Sequence, residues 1–292
     1  MIPTLTQVTA GAGLPLDEYI ALAARHGFVG VEYSIQEAAR AVQDNDFATV
    51  AGWFERAQVL PAVFDLPVQW RQDEATFQDG LKQLPALAKL AQDLDCTRCT
   101  TWIVPATDAT AQEYASRSIE RLGAVARVLE EEGLRLGLEF LGPLHFRPDP
   151  DKVWFYDIQG ALAAVEAVAR THNLENVGLL VDCWHWYTSG GTLMDLASIP
   201  VEQVIHIHIN DAPDIARENQ IDNQRLLPGA SGVIDLTGFL KTLAALGCDG
   251  PVAVETFSDE LKSLPPDEAA SRAAEATFGA LEKAGIEPVR LL

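Results

Sequence analysis

Basic side chains are scarce in this chain: 21 Lys and Arg stand against 42 Asp and Glu, a formal net charge of −21. A surface of that sign repels a phosphate backbone, which excludes a nucleic-acid partner. It also disfavours strongly anionic ligands wherever no local basic pocket intervenes. Long apolar runs are missing too, so nothing reads as a membrane span, and no cluster of Lys and Arg reads as a lipid-surface patch. Only four cysteines occur, Cys96, Cys99, Cys183 and Cys248, too few and too scattered for a disulfide framework. Cys96 and Cys99 have CxxC spacing but lead into an apolar run and lack a second pair to close a zinc site. Buried, reduced thiols in a cytoplasmic protein are the expectation. The N-terminal MIPTLTQVTA lacks the basic-then-apolar pattern of a secretory leader. Neither GxGxxG nor GxxxxGK occurs, so no nucleotide cofactor is expected.

What the chain does have is a regular alternation. Short apolar runs predict strands near Thr4–Val8, Gly30–Tyr33, Leu60–Phe64, Arg98–Ile103, Leu136–Phe140, Val177–Val181, Val204–Ile209 and Val252–Glu255. Helical periodicity fills the intervals: Tyr19, Ile20, Leu22 and Ala23 within Leu16–His26, the repeat Leu81, Leu84, Leu87, Leu90 within Phe77–Leu94, and the two-faced Ile119–Glu132. Gly27, Gly133 and Gly247 follow helical runs as C-terminal stops. Eight alternating units with no Pro/Ser-rich linker predict an α/β fold, one (β/α)8 barrel domain over residues 1–292. Two connections exceed what a turn needs, Gly142–Tyr156 and Ala212–Val233, and are expected to form a lid.

Four of the runs end in an ionisable group. Glu139 closes LRLGLEF, Asp182 closes VGLLVD, His208 lies near the end of VIHIHIND and Glu255 closes PVAVETF. In a barrel, the C-terminal strand ends meet at one mouth, the usual place for chemistry. Two like charges at roughly 4 Å and an effective dielectric near 20 repel by about 4 kcal/mol. A bound divalent metal is the simplest resolution. Alternation puts His206, His208 and Asn210 on one face, with His206 a layer deeper. Three carboxylate oxygens and one imidazole nitrogen favour Mn2+, then Zn2+, with Co2+ or Mg2+ also allowed.

The set LEFLG, VDCWHW, HIHIND, RLLPGASGVIDL and VAVETF resembles the xylose isomerase-like barrels, the sugar phosphate isomerase/epimerase group. The resemblance spans essentially the whole chain. It implies Glu139, Asp182, His208 and Glu255 as ligands of one divalent metal. It also implies substrate contacts from His185, three residues after the Asp, and from Arg225, just before a Pro-Gly loop. The segment between His208 and Arg225 is longer here than in the compact ketose epimerases.

The chemistry is readable without the name. A cation that polarises an α-hydroxyketone acidifies the intervening proton. Glu139 and Glu255, facing each other, then act as acid and base through an enediolate. Proton return to the opposite face is epimerisation; return to the neighbouring carbon is isomerisation. Loss of a β-hydroxyl from the same enediolate is dehydration, of an inosose or a dehydroshikimate-like acid. The leading expectation is an isomerase or epimerase on a carbohydrate-like small molecule, with the dehydratase as rival. A related endonuclease needs more metal-binding histidines than six afford. A barrel that only binds a sugar is the bland alternative. A homo-oligomer is compatible with all of these.

Trp102 is expected at the substrate, with Phe64, Tyr33 and Trp184 or Trp186 as further pocket walls. Glu32, closing GFVGVEY, reads as a hydrogen-bonding residue at the mouth, and His206 as an interior histidine with its bonds satisfied. His145 reads as exposed, and Arg225 also has Asp222 and Asp235 as possible ion-pair partners. Residues 228–232 read either as a source of N–H groups for a phosphate or as a tight lid turn.

Overall fold

In a computed structural model, which describes residues 1–291, eight parallel strands close into a barrel in the order β1 to β8. They are β1 (Ile2–Leu5), β2 (Gly30–Tyr33), β3 (Leu60–Asp65), β4 (Arg98–Ile103), β5 (Arg135–Phe140), β6 (Val177–Asp182), β7 (Val204–Ile209) and β8 (Pro251–Val254). The barrel closes where Ile2 to Leu5 pair with Pro251 to Val254. All eight strands lie where the apolar runs predict them, β1 being displaced toward the N-terminus. It stops at Leu5 because Thr6 opens a turn: its carbonyl accepts from Thr9 and Ala10 N–H.

The surrounding helices are α1 (Leu16–Arg25), α2 (Ile35–Asp44), α3 (Phe47–Ala57), α4 (Glu74–Asp93), α5 (Ala111–Glu131), α6 (Ile158–His172), α7 (Cys183–Ser189), α8 (Leu193–Ala197), α9 (Leu236–Ala245), α10 (Asp259–Ser263) and α11 (Pro266–Lys283). Gly27, Gly133 and Gly247 follow α1, α5 and α9 with φ of 79°, 73° and 94°, the left-handed geometry that ends a helix without a Cβ clash. The stripe on α4 differs from the expected leucine repeat. Phe77, Leu84, Ala88 and Ala91 are its buried residues, while Leu81, Leu87 and Leu90 flank them half-buried. Small alanines at the contact line let the helix approach the sheet closely, and the leucines seal its margins. No helix among the described residues is long and apolar enough to cross a membrane. All four cysteines are unpaired; Cys248 is half-buried rather than buried, because it lies beyond α9 at the edge of the core.

Candidate metal centre and active site

The four strand-end residues meet. One ligand-type atom from each of Glu139, Asp182, His208 and Glu255 lies within 4.8 Å of every other. Asp182 is held hardest: Oδ1 accepts the Trp184 N–H at 2.7 Å and Asn210 Nδ2 at 3.0 Å. The first bond caps α7, so the carboxylate is oriented by the helix that follows it. Oδ2 is left for the cluster. His208 Nδ1 faces Glu255 Oε2 at 3.3 Å and Glu139 Oε1 and Asp182 Oδ2 at 3.8 Å each. Its Nε2 points away, to Glu32 Oε2 at 3.1 Å.

Charge compensation is shared in a way the strand ends alone did not reveal. Arg225 inserts into the cluster, Nη1 donating to Asp182 Oδ2 at 2.7 Å and to Glu255 Oε2. Its Nη2 donates to Asp222 Oδ1 at 2.9 Å, while Asp235, the other expected partner, instead caps α9. So a guanidinium supplies part of the neutralisation that the sequence assigned wholly to a metal. It does not supply all of it. Glu139 Oε1 and His208 Nδ1 are buried with no hydrogen-bond partner among the described residues. Two buried lone-pair atoms without partners, a carboxylate oxygen and an imidazole nitrogen in one cluster, fit a divalent cation.

The proton affinities follow from these contacts. Burial, then Glu255 and Asp182, push the Glu139 carboxyl well above its ordinary range, against the pull of His208 and Arg225. Burial would raise Asp182 as well, but Arg225, His185 and His208 outweigh it and hold it low. Burial disfavours a charged His208, yet Glu255 and Glu32 raise it well above the usual imidazole value. For Glu32 burial is likewise overcome, by His208 and His206, which hold it far below the carboxylate range.

The expected substrate residues separate. Trp102 is 44% exposed and lines a cavity of about 670 Å3 over the barrel mouth, together with Arg225 and the ligand set except the fully buried Asp182. His185 is fully buried behind Arg225, Nε2 3.0 Å from Nη2, and burial and then Arg225 push its pKa down to about 4. Its Nδ1 meets the Gly142 N–H at 3.2 Å. A neutral imidazole has one acceptor nitrogen, so it serves only one of these two donors at a time. Of the aromatic walls, Tyr33 lines the cavity, but Phe64, Trp184 and Trp186 belong to the core. Phe146 and Phe257, which carry no sequence signal beyond their loops, take those places.

His206 differs from expectation: both ring nitrogens lack a hydrogen bond among the described residues, with Nε2 3.5 Å from Glu32 Oε2, whereas His208 Nε2 is 3.1 Å from the same oxygen. His145 is exposed. Three N–H groups of the 228–232 turn are taken by the protein rather than left for a phosphate: Ser231 and Gly232 donate to Asp211 Oδ2, at 2.9 and 2.7 Å, and Ala230 to the Leu227 carbonyl at 3.0 Å. The turn is a lid anchor. A second depression, about 790 Å3 between residues 227–237 and α11, holds none of the ligand-atom clusters found among the described residues.

The family profile described as xylose isomerase-like TIM barrel matches residues 20–279. The chain belongs to that family. An inosose isomerase of Halalkalibacterium halodurans is 25% identical over 248 residues, 83% of this chain and 82% of that protein. A xylose isomerase domain protein from Alicyclobacillus acidocaldarius superposes with a TM-score of 0.86 at 31% identity, covering 98% of this chain and 99% of that one. A protein named IolI, with a zinc atom bound, superposes at 0.81 and 22% identity over 97% of this chain and 99% of that one, a likeness of fold. These relatives support an isomerase/epimerase-type enzyme.

Proposed function

We propose that this barrel is a divalent-metal-dependent isomerase or epimerase of a sugar or inosose-like α-hydroxyketone. The observation that carries the reading is the convergence of Glu139, Asp182, His208 and Glu255, with two of their donor atoms buried and unpartnered. These four would hold the ion, which when bound supplies Lewis-acid polarisation of the substrate carbonyl. Glu139 on β5 and Glu255 after β8 then serve as base and acid across the mouth. One removes the proton from the carbon beside the ketone, leaving an enediolate. The other returns a proton to the opposite face, which inverts the carbon, or to the adjacent carbon with a proton passing from one oxygen to the other, which exchanges ketone for aldehyde or moves it along the ring. Arg225 holds Glu255 and Asp182 in register, and Trp102 with Phe257 forms apolar wall for C–H faces.

The test is metal content by elemental analysis on protein purified without added metal, with activity on an inosose in parallel. Near-stoichiometric Mn2+ or Zn2+ in the wild type and none in the Asp182→Ala/His208→Ala double variant is expected. Metal absent from both, and not restored by soaking, overturns the reading. Metal also displaces protons from Glu139 and His208, whose affinities for them are raised. The thermal stabilisation by added metal is therefore expected to grow as pH rises through the raised range of these two groups. A melting shift independent of pH would contradict proton displacement.

Glu32 is the positioning residue of this set. By accepting from His208 Nε2 it leaves the Nδ1 lone pair to the cluster. Glu32→Gln is expected to weaken Mn2+ binding by about tenfold or more in a calorimetric titration, with the circular dichroism unchanged. Equal affinity in both proteins would remove Glu32 from the site.

The rival reading is dehydration, in which the enediolate expels a β-hydroxyl. One observation favours it for an acidic ring ketone: an arginine without a carboxylate partner, Arg71, in the cavity wall. Product one water lighter than substrate, with a new conjugated chromophore, would decide for it over isomerisation.

A further inference from the structure

The cavity holds two arginines in opposite circumstances. Arg225 is saturated by Asp182, Asp222 and Glu255. Arg71 has no carboxylate within ion-pair distance among the described residues, in a chain with twice as many acidic as basic side chains. It sits on the β3–α4 connection, at the catalytic end of the barrel. From this we infer that Arg71 is the recognition group for a carboxylate on the substrate. The inference rests on the hydroxyketone reading of the metal centre and narrows its substrate to a monoanionic hydroxyketone.

The guanidinium is fixed before any ligand arrives. It stacks on the Trp102 indole, Cζ 3.6 Å from the ring centroid. Its Nη1 donates to the Trp102 carbonyl at 2.7 Å and to Thr101 Oγ1 at 3.3 Å. Thr101 Oγ1 is itself fixed by Trp70 Nε1 at 3.0 Å. The loop that carries Arg71 is braced from below by the buried Arg121, which donates to the Trp70 and Gln72 carbonyls at 2.7 and 2.6 Å and pairs with Glu74. Every ordering cost of this side chain is therefore met in folding, which leaves more of any contact as affinity.

The pattern of used and unused donors indicates the ligand. Only Nη1 is engaged, and by neutral oxygens, so the charge stays uncompensated. The Nε/Nη2 edge makes no hydrogen bond to the protein among the described residues. That edge presents two parallel N–H groups, the fork that matches the two oxygens of a carboxylate. A phosphate dianion suits the cavity less well, since Asp65, Asp222, Glu139 and Glu255 share its walls and no lysine does. Trp102 thus carries the arginine on one face of its indole in addition to lining the cavity.

The experiment compares inert cyclic polyols on metal-loaded protein by calorimetry: shikimate, which bears a carboxylate, myo-inositol, which is neutral, and myo-inositol 1-phosphate. Arg71→Met keeps a side chain able to pack on Trp102 and removes the charge. It is expected to lose about 10- to 100-fold in shikimate affinity while myo-inositol binding changes by less than about threefold. Arg71→Lys, which retains charge without the fork, should fall between. Equal losses for both polyols would make Arg71 a scaffold residue and overturn the inference, as would no loss, or wild-type protein binding myo-inositol 1-phosphate more tightly than shikimate. Protein that takes up no metal yet still loses shikimate affinity on Arg71→Met would separate the two readings: the metal centre falls and the carboxylate subsite stands.

Discussion

Glu139→Gln is expected to leave the barrel folded and to lower kcat on a confirmed hydroxyketone substrate by about 10³-fold, within the usual range for loss of a general acid or base. The residue is 8% exposed at the end of β5, and glutamine matches its shape, so packing is preserved. What changes is chemistry. An amide neither accepts a proton from carbon nor offers the charged oxygen that the cluster aims at Nδ1 of His208. Stability should not suffer in step, because burial, Glu255 and Asp182 all oppose the charged form of Glu139 in the metal-free protein. Removing that charge relieves a repulsion. Chemical denaturation and steady-state kinetics on the same preparation check both halves, and full turnover in the glutamine variant would remove Glu139 as base or acid.

Asp182→Ala is expected to lose metal binding and to cost about 2–4 kcal/mol of stability as well. Three contacts go at once: the α7 cap, the Asn210 amide and one arm of the buried Arg225. Arg225 keeps Glu255 and Asp222, which limits the damage. Asp182→Asn separates the components. Its carbonyl oxygen still accepts from Trp184 and Asn210, while its amide meets Nη1 of Arg225 donor to donor. Stability between wild type and alanine, with metal binding lost, is the expected pattern in urea titrations and elemental analysis. If asparagine were as unstable as alanine, the cap and Asn210 contacts would contribute nothing.

The cluster at the strand ends was legible because burial writes itself into sequence. A strand covered on both faces tolerates few charges, so an ionisable group closing an apolar run stands out, and β5, β6 and β8 each carry one. Period-two alternation ordered His206 below His208 in β7. The same signal marks Glu32 at the end of GFVGVEY, and reading it as a hydrogen-bonding residue at the mouth was sound. Its partner was not readable: Glu32 and His208 are 176 positions apart in the chain. His206 was misjudged as satisfied for the same reason: whether Glu32 comes within hydrogen-bond distance of it is set by tertiary structure, and it stays 3.5 Å away.

Loop residues carried the least signal. Arg225 and Trp102 were placed at the substrate, but neither the insertion of Arg225 between two ligands nor the stacking of Arg71 on Trp102 follows from spacing. The Gly-rich 228–232 turn left two options open, and Asp211 closed one by taking its N–H groups. Phe146 and Phe257 reached the cavity while Trp184 and Trp186, in the most conspicuous motif, went to the core.

By itself, then, the sequence determined the eight-fold alternation, the barrel and the four ionisable residues at its strand ends, because each depends on local periodicity and on the price of burying charge. Tertiary structure alone decided which cation neutralises which carboxylate, which histidine nitrogen faces the cluster and which arginine is left free. Those outcomes depend on closure of the barrel, which brings β2 beside neither β7 nor β5 in the sheet yet points their side chains into one mouth.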